Sequence, residues 1–411
     1  MSDYVIVADA AAPLQGTAAA AGALGLATAF ASAGRRVFVL TQAHPDQAAR
    51  QPGLARRLRM VSASVGGAPM EVPLYEGRAS SSGANLFVLA VPPGSRGDTV
   101  ALLGSAAAAL ARDGLFSPEL VIGWGDTSAG ALAALPNARA VLVLPGGSAG
   151  PPLPDDELQS LHETDDLGAG SSLLARGLMA ADAVAVPSPA AARALARTPE
   201  FSVRASDQPL AVVRLGCDEP PNDPHSDPAL VQAFSADNPA GKAENRKALG
   251  RTLSLSLGQR SLLCVTPPLE GPGASALLSA LGQLAGLEVV VVVRAGSDRL
   301  LNERAKALAI ENPGKIALVS AGRDSLEREL LAATDAALFM DAHDLTGRSA
   351  GLALRYGALP IVPDGGAFGD FLVDYDPASA TGTALLYAPG DAFELVGALR
   401  RGLALRTDSP S

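Results

Sequence analysis

One pattern constrains this chain more than any other. Short runs of consecutive apolar residues alternate with longer stretches rich in alanine and leucine, the series is interrupted once, and then it starts again. Residues 4–10, YVIVADA, read as a buried strand; 17–34, TAAAAGALGLATAFASAG, as a helix closed by Gly34; and 35–42, RRVFVLTQ, as the next strand. ANLFVLAV, ELVIGW, RAVLVLP and AVAVPS supply further buried strands, with helical stretches such as 98–112 and 171–182 between them. Strands covered on both faces are continuously apolar, and parallel neighbours need a crossover helix. The series therefore predicts a parallel, doubly wound α/β sheet.

Near 210–216, LAVVRLG, the pattern gives way to CDEPPNDPHSDP, whose composition reads as a surface connection. A charged helix follows in GKAENRKALGRTLSL. The alternation then resumes with SLLCVTP, helix 274–286, LEVVVVVRAG, helix 298–311, KIALVSAG, helix 325–333, AALFMD, helix 349–356 and LPIVPD. A chain of 411 residues exceeds one ordinary core. Two doubly wound, Rossmann-like domains are expected, 1–209 and 210–411, with a ligand cleft between them.

Hydrophobic residues make up 48% of the chain and no basic tract or acidic tail occurs, which is a globular composition. A formal charge of −10 argues against nucleic acid or an anionic membrane as partner. No apolar run reaches spanning length uninterrupted, and residues 1–12 lack the basic start of a signal peptide. Cys217 and Cys264 lie far apart in apolar surroundings, and His44, His162, His225 and His343 show no zinc-like spacing. The expectation is a cytoplasmic protein without a disulfide framework, metal site or cofactor. The abundance of alanine suggests a bacterial source of high GC content.

In doubly wound sheets ligands meet the loops at the carboxyl ends of strands. Here those loops are AAPLQGT, GDTSAG, GGSAG, PLEGPG, RAGSD, AHDLTG and DGGAFG. Glycine-rich turns that open a helix offer backbone N–H groups to phosphate, although glycine also simply makes tight turns. The polar side chains available there are Asp126, Ser128, Arg294, Asp298, Asp344, Arg348 and Asp364. Arg294 ends an all-valine strand and has two readings: capture of phosphate or carboxylate, or a strand-end pair with Asp298. The lone Trp124 is expected to fill space at the cleft edge.

Taken in order, several segments resemble the bacterial glycogen and plant starch synthases, retaining glucosyltransferases of the GT-B fold. KAENRKALG (242–250) is the most specific, matching a K-A-E-N-K-x-x-L segment of that family. ADAVAVPSPAAARAL (181–195) is similar to A-D-x-I/V-x-x-V-S-P, and LRYGALPIV (354–362) to L-K/R-Y-G-T/A-L/I-P-x-V. APGDAFELVGALRRGLAL (388–405) is similar to the segment that closes the C-terminal sheet. The resemblance implies two Rossmann-like domains facing across a cleft, with a nucleotide-sugar such as ADP-glucose, or a glucan, as ligand.

The chemical positions do not follow. Where the family has K-T/V-G-G-L, this chain has GTAAAAG (16–22), keeping Thr17 with Gly16 at the lysine position. H-D-W-H-A/T corresponds to GWGDTSAG, with Ser128 at the second histidine, and H-N-x-x-Y-Q-G to PGGSAG. The arginine and lysine of S-R-L-x-x-Q-K-G fall at Pro267 and Pro272. E-P-C-G becomes Asp344-Leu345-Thr346-Gly347, and T-G-G-L becomes Asp364-Gly365-Gly366-Ala367. The resemblance thus offers Asp344 as the catalytic candidate. Gly16, Thr17, Ser128, Arg294, Thr346, Gly347, Gly365 and Gly366 are the nucleotide-sugar-binding candidates.

Cations must neutralise a leaving phosphate, and proline has neither charge nor N–H donor, so these losses predict weakened or absent transfer. The expected function is that of a binding or scaffold pseudoenzyme, which could also use a protein partner. The alternatives are an active glucosyltransferase with a rebuilt site, or a transferase using another donor. The chain ends in RTDSPS, expected as a disordered tail, without the return helix that follows in the synthases.

Overall fold

The computed structural model describes residues 3–11, 14, 18–65, 68–79, 83–92, 94–146, 172–204, 207–214, 216–217, 222–258, 261–271, 273–284, 286–320, 325–341 and 344–408. The chain divides into two compact units, Met1–Gly216 and Cys217–Ser411.

The first unit opens with β1 (Asp3–Ala8), α1 (Ala18–Ser32), β2 (Arg36–Ala43) and α2 (Pro45–Arg50). It continues through β3 (Leu54–Val65), β4 (Ala68–Ala79), β5 (Ala84–Ala90), α3 (Arg96–Arg112), β6 (Pro118–Trp124) and α4 (Ala129–Ala134). β7 (Arg139–Val143), α5 (Leu173–Ala180), β8 (Ala183–Val186), α6 (Pro189–Leu195) and β9 (Leu210–Val212) complete it. The strand order is β3-β4-β5-β2-β1-β6-β7-β8-β9. All pairings from β5 to β9 are parallel, as expected, but β3 and β4 form an antiparallel hairpin on the edge. Neither hairpin strand shows in the apolar pattern: LARRLRMVSASV carries charge, and APMEVPLYEGRA contains prolines of the kind edge strands tolerate. β9 pairs with β8, so LAV joins the first unit although it lies beyond the sequence-based boundary at 209. Trp124 is buried in the core beneath α1, where a Cβ on Gly22 would lie 2.7 Å from its ring.

The second unit runs α7 (Ala240–Thr252), β10 (Leu262–Pro268), α8 (Gly273–Leu281), β11 (Val289–Arg294), α9 (Arg299–Glu311) and β12 (Ile316–Val319). There follow α10 (Leu326–Ala333), β13 (Ala336–Leu338), α11 (Arg348–Arg355), β14 (Leu359–Pro363), α12 (Gly366–Phe371), β15 (Leu385–Tyr387) and α13 (Ala392–Asp408). The sheet is wholly parallel in the order β12-β11-β10-β13-β14-β15. Successive strand residues face opposite sides. Val289, Val291 and Val293 accordingly join one core cluster, and Val290 and Val292 the other. That two-sided burial is why an unbroken valine run folds as a central strand. The tail expectation fails in part: Arg406, Thr407 and Asp408 continue α13.

The segment KAENRKALG lies on α7 and acts as a clasp. Lys242 Nζ donates to the carbonyls of Leu331 (3.0 Å), Ala332 (3.4 Å) and Tyr356 (2.7 Å), joining the C-terminal ends of α10 and α11. Burial pushes its pKa down to about 7. The Asn245 amide accepts from the Val231 and Gln232 N–H groups and donates to the carbonyls of Gln232 (2.6 Å) and Gly241 (2.9 Å). Arg246 pairs with Asp335 and donates to the Ser261 carbonyl at 2.6 Å. From LRYGALPIV, the Tyr356 hydroxyl donates to buried Asp227 at 2.8 Å, which also receives Arg328 Nε at 2.9 Å. The best-matched motifs are thus packing devices.

Candidate functional site

In each unit the chain order reverses in mid-sheet, between β1 and β6 in the first and between β10 and β13 in the second. Such switch points leave a crevice at the carboxyl strand ends, where ligands bind in folds of this type.

At the first unit's switch point, Asp9 follows β1 and a 3₁₀ turn, Asp126–Ser128, follows β6. Arg96, from the first turn of α3, grips both Asp126 carboxylate oxygens at 2.7 Å each. Arg96 is absent from the sequence-based candidates. Its signal was available in its place after strand β5 and beside Ser95, which caps α3. Burial raises the Asp9 carboxyl above the usual carboxylate range; a hydrogen bond with Thr127 opposes this and nearby Asp126 adds to it. Ser128 is fully buried, and its Oγ donates to the Gly125 carbonyl at 2.6 Å. It is turned into its own loop. Gly16 and Thr17 lie outside the described residues, as does Pro272.

In the second unit the loop after β13 and the turn before α12 come together. Asp344 Oδ1 accepts from the Thr346 N–H (2.6 Å), the Thr346 hydroxyl (2.8 Å) and the Gly347 N–H (3.1 Å). The Thr346 hydroxyl accepts in turn from the Arg348 N–H at 3.3 Å. Past the Gly365–Gly366 turn, the Ala367 N–H donates to the Asp344 carbonyl at 2.7 Å. Gly347 stands at φ 65°, and a Cβ there would lie 3.0 Å from the Phe371 ring. Asp344 therefore pins its own loop, with one carboxylate oxygen engaged three times over.

Arg294 sits elsewhere on the same edge. Its backbone N–H donates to Thr266 Oγ1 at 3.1 Å, and its Nη1 lies 3.4 Å from Glu327 Oε1. Asp298 is not its partner: that carboxylate caps α9, accepting from the Leu300 and Leu301 N–H groups at 2.8 and 3.1 Å. A cavity of about 20 Å³ is lined by Thr266, Pro267, Arg294, Glu327, Phe339 and Ser349 among others, room for about one water molecule. Pro267 and Arg294 thus share a cavity that Asp344 does not line. Among the described residues no group of three or more His, Cys, Asp or Glu could hold a metal, and no helix is long and apolar enough to cross a membrane.

Comparison with known proteins places this arrangement. The chain matches no protein-family profile. The catalytic domain of starch synthase IV from Arabidopsis thaliana, solved with ADP and acarbose, superposes with a TM-score of 0.83 at 16% identity, covering 99% of this chain and 92% of that one. HepE from Anabaena, solved with UDP, gives a TM-score of 0.60 at 12% identity over 100% and 96% of the two chains. The fold is that of the GT-B glycosyltransferases, built from two Rossmann-like domains. In sequence, the glycogen synthase of Halorhodospira halophila is 28% identical over 242 residues, 57% of this chain. That match spans 50% of the relative, so the shared stretch is about half its length. Over that stretch the chain is similar to a bacterial glycogen synthase, and its fold is GT-B.

Proposed function

We propose that this protein binds a nucleotide-sugar or its nucleoside diphosphate without transferring glucose at an ordinary enzymatic rate, and that it works as a binding or scaffold protein. One observation carries the reading. Where the family places an arginine, this chain has Pro267, and the one cation lining that cavity among the described residues, Arg294, is paired with Glu327. Transfer from a nucleotide diphosphate builds charge on the leaving phosphate, and loss of a single stabilising donor typically lowers the rate by ~10²–10³. Three further strand-end groups are engaged within the protein: Asp344 with its loop, Asp126 with Arg96, Ser128 with Gly125. Binding of nucleotide is supported by the neighbours solved with ADP and UDP. The two units, Met1–Gly216 and Cys217–Ser411, are read as the two domains, each with its own strand-end crevice.

The test combines radiolabelled ADP-glucose and glycogen with the purified protein, alongside ADP titration by calorimetry. The expected result is heat of ADP binding with no incorporation above background. Incorporation at tens of turnovers per second, the ordinary scale for enzymes, would refute the reading and favour an active glucosyltransferase with a rebuilt site.

A further inference from the structure

We propose that Glu327 is a built-in competitor for the Arg294 guanidinium, and that a phosphate of a nucleoside diphosphate enters the second unit's strand-end cavity by displacing this carboxylate. The inference rests on the nucleotide-binding reading above and assigns it a regulatory contact.

The two arginine–carboxylate pairs at the strand ends differ in kind. Arg96 holds Asp126 through two contacts of 2.7 Å, with the Asp126 side chain only 9% exposed. Both contacts come from Nη2, and charge-assisted bonds of that length to a buried carboxylate are strong. Arg294 meets Glu327 at 3.4 Å, and the Glu327 side chain is 44% exposed against 19% for Arg294. Such a pair contributes little to stability and exchanges readily. Arg294 itself is well placed, because its strand is anchored by the bond from its N–H to Thr266. Glu327 stands in the first turn of α10 and forms part of the wall of the small cavity. With Glu327 in place the cavity has no room for a phosphate. With it swung toward solvent, an oxyanion would meet the guanidinium in a space that Thr266 and Ser349 also line. Two anions cannot share one guanidinium at close range without repulsion, so carboxylate and phosphate compete.

Calorimetry on the full chain decides this with ADP and adenosine as probes, for wild type, E327Q, R294Q and the double variant. Glutamine keeps the shape and removes the charge. E327Q is expected to tighten ADP by roughly three- to tenfold while leaving adenosine unchanged. R294Q is expected to weaken ADP by about tenfold and to abolish the gain from E327Q. Thermal melts check each fold; E327S replaces E327Q should the latter melt early, since serine also suits a helix start. An E327Q affinity within about twofold of wild type, with R294Q weakened, would overturn the competitor role and leave the nucleotide reading standing. R294Q binding as tightly as wild type would remove Arg294 from the site. No heat from millimolar ADP with either wild type or E327Q would overturn both readings together.

Discussion

Replacing Lys242 by methionine probes the clasp and its dependence on pH. Lys242 Nζ donates to three carbonyls at 3.0, 3.4 and 2.7 Å. These carbonyls belong to the last turns of α10 and α11, which lack intrahelical donors and favour a cation. Two well-formed bonds from a charged donor contribute about 3–6 kcal/mol in all. Burial opposes them, lowering the ammonium from its ordinary 10.5 to about 7. That drop corresponds to roughly 5 kcal/mol against the charged form in the folded state. The unfolded chain keeps this proton up to pH 10.5, whereas the folded chain releases it near 7. Between those values the unfolded state binds more protons, so wild-type stability rises with pH. The penalty is complete below the folded pKa and has vanished above the unfolded one. Methionine keeps a flexible stem beside the Phe234 ring, over which Nζ lies 5.5 Å from the centroid, and it has no proton to exchange.

The expected outcome is a stability gap between wild type and K242M that widens by about 3 kcal/mol from pH 6 to pH 9. Urea melts by far-ultraviolet circular dichroism read the whole chain, while fluorescence of the single Trp124, in the first unit, serves as an internal control. A gap of equal size at both pH values would mean that Lys242 stays charged throughout, and the burial argument would fail. No gap at either pH would mean that the three carbonyls do not need it.

Two further substitutions follow from the same geometry. Arg96→Met leaves Asp126 buried without its arginine partner, so the first unit should lose about 3–5 kcal/mol, read by Trp124 fluorescence in urea, and D126N in the same chain should restore most of it. Gly347→Ala places a Cβ at φ 65° and 3.0 Å from Phe371, and should lower the second unit's stability by about 1–2 kcal/mol; an unchanged denaturation midpoint would show that the loop relaxes freely.

Much of the fold was legible because the central strands are buried on both faces. A run such as VVVVV has few other ways to fold, and each run is followed by a helix that can carry the chain back. The β3–β4 hairpin was not legible, since an edge pair half open to solvent needs no apolar run and admits Arg57 and Glu76 as a cross-strand ion pair. At the candidate site, the place of Asp344–Gly347 and Gly365–Gly366 at strand ends could be foreseen from the apolar pattern. Partner choice could not. Arg294 reaches Glu327, at the start of a helix three elements later, and passes over Asp298, whose carboxylate is bound to the N–H groups of its own helix. Likewise Arg96 and Asp126 meet because β5 and β6 end at the same edge of one sheet, a proximity that sequence separation conceals.

The contrast between retained and altered positions has a physical cause. Lys242, Asn245 and Arg246 each meet buried backbone carbonyls or buried acids, and Tyr356 meets Asp227 in the interior. Removing any of them strands polar partners away from water, at about 1–3 kcal/mol each, a large share of what holds a domain together. A strand-end loop is under no such constraint. Pro267 strands nothing, because it stands at the end of β10 where the register with β11 is interrupted between Val265 and Pro268, beside a cavity of about 20 Å³. Interior ties and strand-end chemistry can therefore diverge independently in one chain, and a TM-score of 0.83 at 16% identity reports on the fold alone. Likeness of fold carries no weight on whether glucose is transferred. The weight rests on whether a cation other than Arg294 reaches the second unit's strand ends, and on whether Glu327 yields the one that is there.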